Sequence, residues 1–480
     1  MSSRELKSRK KWYVVLVFLV FSFSLATKLK GLGEFSFDYD EIYSIRMAEG
    51  SYGDLLTAQR YDPGNPPLYF IMLKGWLSLL GEGEFQARLL SVVFYMIGMV
   101  AIYSGVKKDL KPETILIVLV LYATSILIFA HARYARAYSL ILCLSVVVFF
   151  KMVDFLKKKD FNLRSAGWLL LLCLVGVYAH YSFVVFYVFL FLVFLWELRR
   201  SKHRLERLLV FTCFVVGGYL PWIIFFIKAQ VSPIMWWHKY KFGQVGKQWI
   251  GFEGWLKVLS NQVFESWRVE FQRLLVIWII LIFAVVLIYI YKREKRLWAR
   301  SAIVFYLVYF NVLLFTPVHL VFSDPRYSIF IFPFLFLCLG VLLDKVVPSI
   351  FKNLVLVVLI VCGVVTSKNY QNGLWENWKN MALDLPIYEE DSVILFHPCY
   401  LAFSLDYYYK GVLPMYCFIE NTEGMYLNTW VKEPKEKLYV VIKKDEEWRI
   451  DLLMELKEEC GVEEKLFGNI KMVYLKGCVY

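Results

Sequence analysis

"RKKWYVVLVFLVFSFSLATKLKGLGEFSFDYDE", residues Arg9–Glu41, passes from a basic flank through a long apolar run into a tight acidic cluster. The apolar part, "WYVVLVFLVFSFSLAT" (12–27), has the length and character of a segment that crosses a bilayer, because a helix needs about 20 apolar residues to span the hydrocarbon. Arg4, Lys7, Arg9, Lys10 and Lys11 precede it. A cleavable signal peptide has the same outline. However, no small-x-small cleavage site follows before the acids, and more apolar runs come later, so we read an uncleaved anchor.

The rest of the chain repeats the pattern. Of its 480 residues 59% are hydrophobic and 18% aromatic, which excludes an ordinary soluble enzyme. Eleven candidate spans fall near 12–29, 85–106, 113–131, 137–155, 165–180, 182–198, 207–228, 273–291, 299–316, 328–347 and 353–368. The formal charge of +13 would suit nucleic acid, but the Lys and Arg gather in short connections: "KKDLK" (107–111), "KKKDFNLR" (157–164), "RRSKHRLER" (199–207) and "KREKR" (292–296). These alternate with less basic loops, as the positive-inside rule requires of cytoplasmic connections. The expected protein is an α-helical polytopic one of the cytoplasmic (inner) membrane, with its N-terminus cytoplasmic and its C-terminus external, and no nucleic-acid partner.

Two domains are expected. Residues 1–368 form the membrane domain, with external loops at about 28–84 and 229–272. Residues 369–480 form a small external α/β domain. In that tail "DSVILF" (391–396) and "KLYVVIKK" (437–444) read as strands, and "DEEWRIDLLMELKEECG" (445–461) reads as an amphipathic helix. Five cysteines (Cys143, Cys173, Cys213, Cys338, Cys362) lie in spans, where apolar packing is the expectation. The other four (Cys399, Cys417, Cys460, Cys478) lie in the tail, where an oxidising compartment would allow disulfides.

Charge beside the hydrocarbon is costly, so its placement is informative. Asp40 and Glu41 stand some ten residues beyond the first span. A carboxylate there can act as a base, or simply open an acid-capped helix, "DYDEIYSIRMAEG". Asp38 reads as a solvated bystander. In the same loop Pro66 and Pro67 impose an extended stretch before "LYFIMLKGWLSLLG" (68–81), fourteen residues that are too few to span and suit an in-plane helix. "FAHARYARAYSL" (129–140) carries His131, Arg133, Tyr134 and Arg136 at an external turn, and "VFSDPRYSIFIFPF" (321–334) carries Arg326 and Tyr327. Positive charge on the external side has no topological reason. Arginines there can bind phosphate bidentately, contact headgroups, or form a surface pair such as Asp324–Arg326. No P-loop, GxGxxG or HExxH motif is present.

Read in order, "DYDEIYSIRMAEG", "NPPLYFIMLKGWLSLLGEGEFQARLLSVVF", "ARYARAYSLIL" and "DPRYSIFIFPFL" resemble the protein O-mannosyltransferase and aminoarabinose transferase type of polytopic glycosyltransferase, within the GT-C superfamily. The resemblance covers about the first 340 residues. It implies a polyprenyl-phosphate-linked sugar as donor and a hydroxyl acceptor (lipid, glycan or protein) on the external face. It implies Asp40 as the catalytic base with Glu41 beside it, and Arg133, Arg136 and Arg326 as ligands of the donor phosphate. Tyr43, Asp62, Asn65, Lys74, His131, Tyr134 and Tyr327 are candidate substrate contacts. The family often has His or Lys before the proline pair, whereas this chain has Asn65. A divalent cation at Asp40 and Glu41 is compatible with the residues, without a complete ligand set in view.

Two other classes use similar parts. An O-antigen ligase or polymerase would carry one very large late external loop without an Asp-Glu loop after the first span. A lipid-linked sugar flippase would call for polar or broken helices at the midplane and matching halves.

Overall fold

The computed structural model describes residues 3–61, 64–158, 162–230, 285–315, 325–371, 376–390, 392–421, 424–427, 437–443 and 461–476. The chain divides into two compact units. One comprises Met1–Lys30, Ala48–Leu79 and Arg88–Lys368; the other comprises Gly31–Met47, Leu80–Ala87 and Asn369–Tyr480.

The first unit is a helix bundle. Its helices are α1 (Ser3–Leu29), α3 (Tyr52–Tyr61), α4 (Leu68–Leu80), most of α5 (Glu84–Val106), α6 (Pro112–Thr124), α7 (Ile126–Ala132), α8 (Tyr138–Lys157), α9 (Leu163–Ala179), α10 (Tyr181–Leu198), α11 (Lys202–Gln230), α12 (Leu297–Phe315), α13 (Phe332–Val346) and α14 (Ser349–Gln371). α2 (Tyr39–Glu49) begins in the other unit. Many of these helices are apolar on the outside as well as the inside: α1 exposes Trp12, Phe18 and Leu19, and α11 exposes Val210, Phe214 and Ile224. In water such surfaces would associate, so their solvent is lipid. The chain is a multi-pass membrane protein.

Among the described residues six helices are long and apolar enough to cross: Trp12–Leu29, Glu84–Val106, Tyr138–Lys157, Tyr181–Leu198, Lys202–Lys228 and Arg326–Val346. The expected span at 113–131 is instead a broken pair, α6 and α7, bent by 59°. The bend lies at Ser125, whose backbone is extended (φ −56°, ψ 121°) and whose N–H still bonds Leu121 O. The expected spans at 165–180, 299–316 and 353–368 correspond to shorter apolar stretches, Leu163–Ala179, Leu297–Tyr309 and Ser349–Val365. The one at 273–291 lies partly outside the described residues, and the 229–272 loop almost wholly so.

Close approach in the bundle relies on small residues, as expected where lipid removes the hydrophobic drive between helices. A β-carbon on Gly98 would meet Cys143 Cα and the Tyr122 hydroxyl, and one on Gly176 would strike the Phe183 ring across the α9–α10 turn. The interior is aromatic, with Phe305 stacked on Phe334 at 4.3 Å and Phe186 against both.

Away from the candidate site, Glu294 gathers the connections of the bundle. Its carboxylate accepts from the backbone N–H groups of Lys295 and Arg296, from Arg296 Nε and Nη2, and from Lys345 Nζ, each at 2.9 Å. Arg296 also donates to Asp109 O at 2.5 Å, and Trp298 Nε1 to Asp109 Oδ2 at 2.6 Å. Burial alone would raise the Glu294 pKa, but the bonds from Arg296 and Lys345 outweigh it and hold it at about 2, below the ordinary 4.5. A carboxyl depressed on folding stabilises fully above its unfolded pKa and loses that contribution as pH falls toward the folded one. The lead in melting temperature of wild type over Glu294→Gln should therefore shrink as pH drops from about 5 to about 3. A lead that stays constant over this range would contradict the assignment.

The second unit contains a six-stranded sheet of β1 (Ser392–His397), β2 (Met415–Asn421), β3 (Gly424–Leu427), β4 (Lys437–Lys443), β5 (Gly461–Phe467) and β6 (Ile470–Lys476), in the order β3-β2-β1-β4-β6-β5. β1 runs parallel to β2 and β4, and the outer pairings are antiparallel. Every residue of β1 is buried, which accounts for its continuous apolar run at the sheet centre. Helices α15 (Trp378–Asp384) and α16 (Tyr400–Tyr408) supply Trp378, Met381, Leu401 and Leu405 to a core with Ile394, Phe396 and Val441. The two expected strands and the α/β character are observed; the expected helix at 445–461 lies outside the described residues except for Gly461, which opens β5. Cys399 is disulfide-bonded, while Cys143, Cys173, Cys213 and Cys338 are free.

Candidate active site

The acidic cluster forms the start of α2. Asp38 is its N-cap: Oδ1 accepts from Glu41 N at 2.9 Å, and Glu41 Oε2 reaches back to Asp38 N at 3.3 Å. This is a reciprocal capping box, so Asp38 is a structural group and not the bystander the sequence suggested. The box also separates the two candidate catalytic acids. Glu41 is fully buried with one oxygen on the cap, whereas Asp40, one residue before it in the first turn, is only half-buried. Tyr43 lies one turn on, also half-buried.

The acid-bearing segment is built into the second unit by the tail. Phe37 N donates to Tyr408 Oη at 2.6 Å, and that hydroxyl donates to Glu84 Oε1 at 2.9 Å. Lys379 pairs with Glu84 at 2.8 Å, and its N–H bonds Ser36 Oγ. Arg46 meets Asp406 at 2.5 Å and lies over the Phe403 ring, while Tyr39 packs on Tyr400 and Phe403. Burial and the Glu84 carboxylate push the Tyr408 phenol well above its usual range, so it remains a donor. Tyr408→Phe leaves the Phe37 N–H and Glu84 without this partner, a loss expected to cost about 1–3 kcal/mol. The variant should melt at lower temperature and transfer sugar more slowly; unchanged values of both would show that the link is idle.

In the first unit, three segments meet at one end of the bundle around a small, partly open pocket. Asn65, Tyr69 and Phe70 come from the proline-led start of α4, Arg136 and Ala137 from the α7–α8 turn, and Ala179 and His180 from the α9–α10 turn. Arg136 is 8% exposed and His180 is 5% exposed, so both are largely withdrawn from bulk solvent. An aromatic wall continues from the pocket. His180 packs on Tyr138 and Tyr327, and Tyr138 in turn on His131 and Tyr134. Tyr327 belongs to the 3-10 turn Pro325–Ile331, where Arg326 stands over its ring at 5.2 Å. A guanidinium, an amide, an imidazole and aromatic faces together suit a phosphoryl group attached to an apolar chain.

Two of the sequence-derived contacts have different partners. Arg133 Nη1 donates to Lys30 O at 2.7 Å and Thr27 O at 3.2 Å, capping the carbonyl end of α1. Lys74 Nζ donates to Gly50 O at 2.6 Å, Ala48 O at 3.1 Å and Glu49 O at 3.5 Å, closing α2 in the same way. Both are helix caps in this structure, a use that sequence spacing does not reveal. Asp62 and Asp324 lie outside the described residues.

Sequence reasoning missed His180 and Lys28. Lys28 is fully buried, donating to Ala123 O at 2.5 Å and lying over the rings of Tyr95 and Phe129. His180 had a readable signal: it is the polar residue of "YAHYSF" (178–183), at the junction of two apolar runs. Among the described residues no three His, Cys, Asp or Glu side chains are grouped to hold a metal ion.

Residues 64–225, which include the pocket segments, match the family model described as Dolichyl-phosphate-mannose-protein mannosyltransferase. That match covers about a third of the chain and indicates a glycosyltransferase, and the bundle with its sheet domain has the fold of the GT-C solved structures that follow. Among solved structures it is similar to ArnT from Cupriavidus metallidurans in the apo state, with a TM-score of 0.55, 11% identity and 98% of each chain covered. The same enzyme bound to undecaprenyl phosphate matches with a TM-score of 0.51 and 13% identity, again over 98% of each chain. The archaeal oligosaccharyltransferase AglB from Archaeoglobus fulgidus, in complex with an inhibitory peptide and a dolichol-phosphate, matches with a TM-score of 0.52 and 12% identity, over 97% of this chain and 74% of that one. At these identities the likeness is one of fold. No curated protein matches the chain by sequence.

Proposed function

We propose that the chain transfers a sugar from a polyprenyl-phosphate-linked donor to a hydroxyl acceptor, a lipid, glycan or protein, on the external face of the cytoplasmic membrane. The observation that carries this reading is the pocket that gathers Arg136, Asn65 and His180 at one end of an apolar bundle. It is supported by the undecaprenyl phosphate and dolichol-phosphate carried by the two similar enzymes.

In this mechanism Arg136 takes the donor phosphate, with Arg326 on the adjoining turn adding positive charge. The acceptor oxygen attacks the anomeric carbon as the bond from that carbon to the phosphate oxygen breaks. The electron pair leaves with the lipid phosphate, which needs no protonation because the guanidinium charge stabilises it. Asp40 takes the acceptor's proton, and the single displacement inverts the anomeric centre. Glu41 fixes the helix that carries Asp40, and Arg133 and Lys74 are positioning groups that hold helix ends.

The external placement of the tail and the cytoplasmic N-terminus follow the distribution of basic loops, and the Cys399 disulfide suits an oxidising compartment. The test is a deletion strain. Its membranes should accumulate one polyprenyl-phosphate sugar, and adding the purified chain in liposomes should consume that lipid. If no lipid-linked sugar accumulates and none is consumed, the reading fails.

A further inference from the structure

The pocket holds a single guanidinium, that of Arg136, and position 65 supplies an uncharged amide. A phosphate withdrawn from water presents oxygens on several sides, and a planar guanidinium fork engages only the pair that faces it, so the remaining oxygens call for donors from other directions. His180 is the remaining polar side chain among the pocket residues apart from the Tyr69 phenol. Its ring is held on two sides. Nδ1 accepts the backbone N–H of Ser182 at 3.1 Å, which makes His180 the N-cap of α10, and the ring lies nearly parallel to Tyr327 (26°, 6.2 Å) and against Tyr138 (5.6 Å). A neutral ring that accepts at Nδ1 carries its proton on Nε2.

We propose that His180 is a second ligand of the lipid-linked phosphate, donating through Nε2–H beside Arg136; this rests on the donor reading above. The cap sets the tautomer, so one backbone bond of α10 makes the imidazole a donor. The same turn thus ends α9, starts α10 and supplies a phosphate contact.

The two roles of His180 can be separated, because asparagine is among the best N-cap residues but does not extend as far as an imidazole Nε2. The test titrates undecaprenyl phosphate into the detergent-solubilised full chain and follows binding by thermal shift. His180→Asn should melt like wild type without lipid and bind about 10- to 100-fold more weakly, the range for one hydrogen bond to a charged group. Adding Asn65→His to His180→Asn returns an imidazole to the same pocket and should recover most of the affinity.

His180→Asn that binds within twofold of wild type overturns the proposal. If His180→Asn melts lower, the double variant decides: recovered binding supports the proposal, and no recovery overturns it. Arg136→Gln keeps the two readings apart. Loss of binding there with none at His180→Asn removes His180 alone, whereas a wild-type chain that binds no undecaprenyl phosphate removes the donor reading and this assignment together.

Discussion

Asp40→Asn is expected to lower sugar transfer by about 10²–10⁴-fold, the usual contribution of a positioned base. The substitution keeps the size of the side chain and removes its capacity to take a proton. Fold and donor binding should survive it, because the α2 cap is made by Asp38 and Glu41 and the donor phosphate is assigned to Arg136. The measurement is transfer in membranes supplied with lipid-linked sugar, alongside a melting curve and a donor-binding titration. Full transfer by Asp40→Asn would remove Asp40 from the mechanism. Asp38→Asn is the matched control: asparagine caps nearly as well, so its effect should be small.

Arg136→Gln is expected to reduce transfer by about 10²–10³-fold, in line with losing one preorganised group that stabilises developing charge. The expected signature differs from that of Asp40→Asn. Removing the guanidinium weakens binding of undecaprenyl phosphate as well as turnover, because the phosphate is present in both the ground state and the departing state. Arg133→Gln should behave differently again. Its target is the carbonyl end of α1, so it should lower the melting temperature first, and activity in proportion. If Arg136→Gln and Arg133→Gln lost donor affinity equally, the division of labour between the two arginines would be wrong.

What the sequence made legible follows from the physics of the signals. Long apolar runs report burial in lipid residue by residue, so the spans at 12–29, 85–106 and 137–155 are visible without a structure. The strands at 391–396 and 437–444 are visible for a related reason, since both run as buried, apolar strands in the sheet centre. The capping box Asp38-x-x-Glu41 is equally local, but the adjacent Asp40 gives the same three acids a second reading as a catalytic cluster. The bend at Ser125 was less accessible, because Ser125 is a single residue in an otherwise continuous apolar run.

The uses of Arg133, Lys74 and Lys28 could not be read at all. Each donates to a carbonyl 24 or more residues away in sequence, and backbone carbonyls carry no residue identity. His180 falls between these cases: its turn was visible, but the pocket it shares with Asn65 and Arg136 depends on three loops folding together.

The second unit also has a consequence in time. Its helix-bearing segment, residues 31–47, is synthesised early, and its partners Lys379, Asp406 and Tyr408 come near the end. At ~5–20 residues per second, the 343 to 371 residues that separate these pairs leave that segment waiting for roughly 17–75 s. Throughout that period the bundle helices can already be inserting, while the acidic helix has nothing to clamp it. A chain cut short before Lys379 would thus keep Asn65, Arg136 and His180 while lacking every one of those partners. On the proposed mechanism, such a product would bind donor lipid without turning it over.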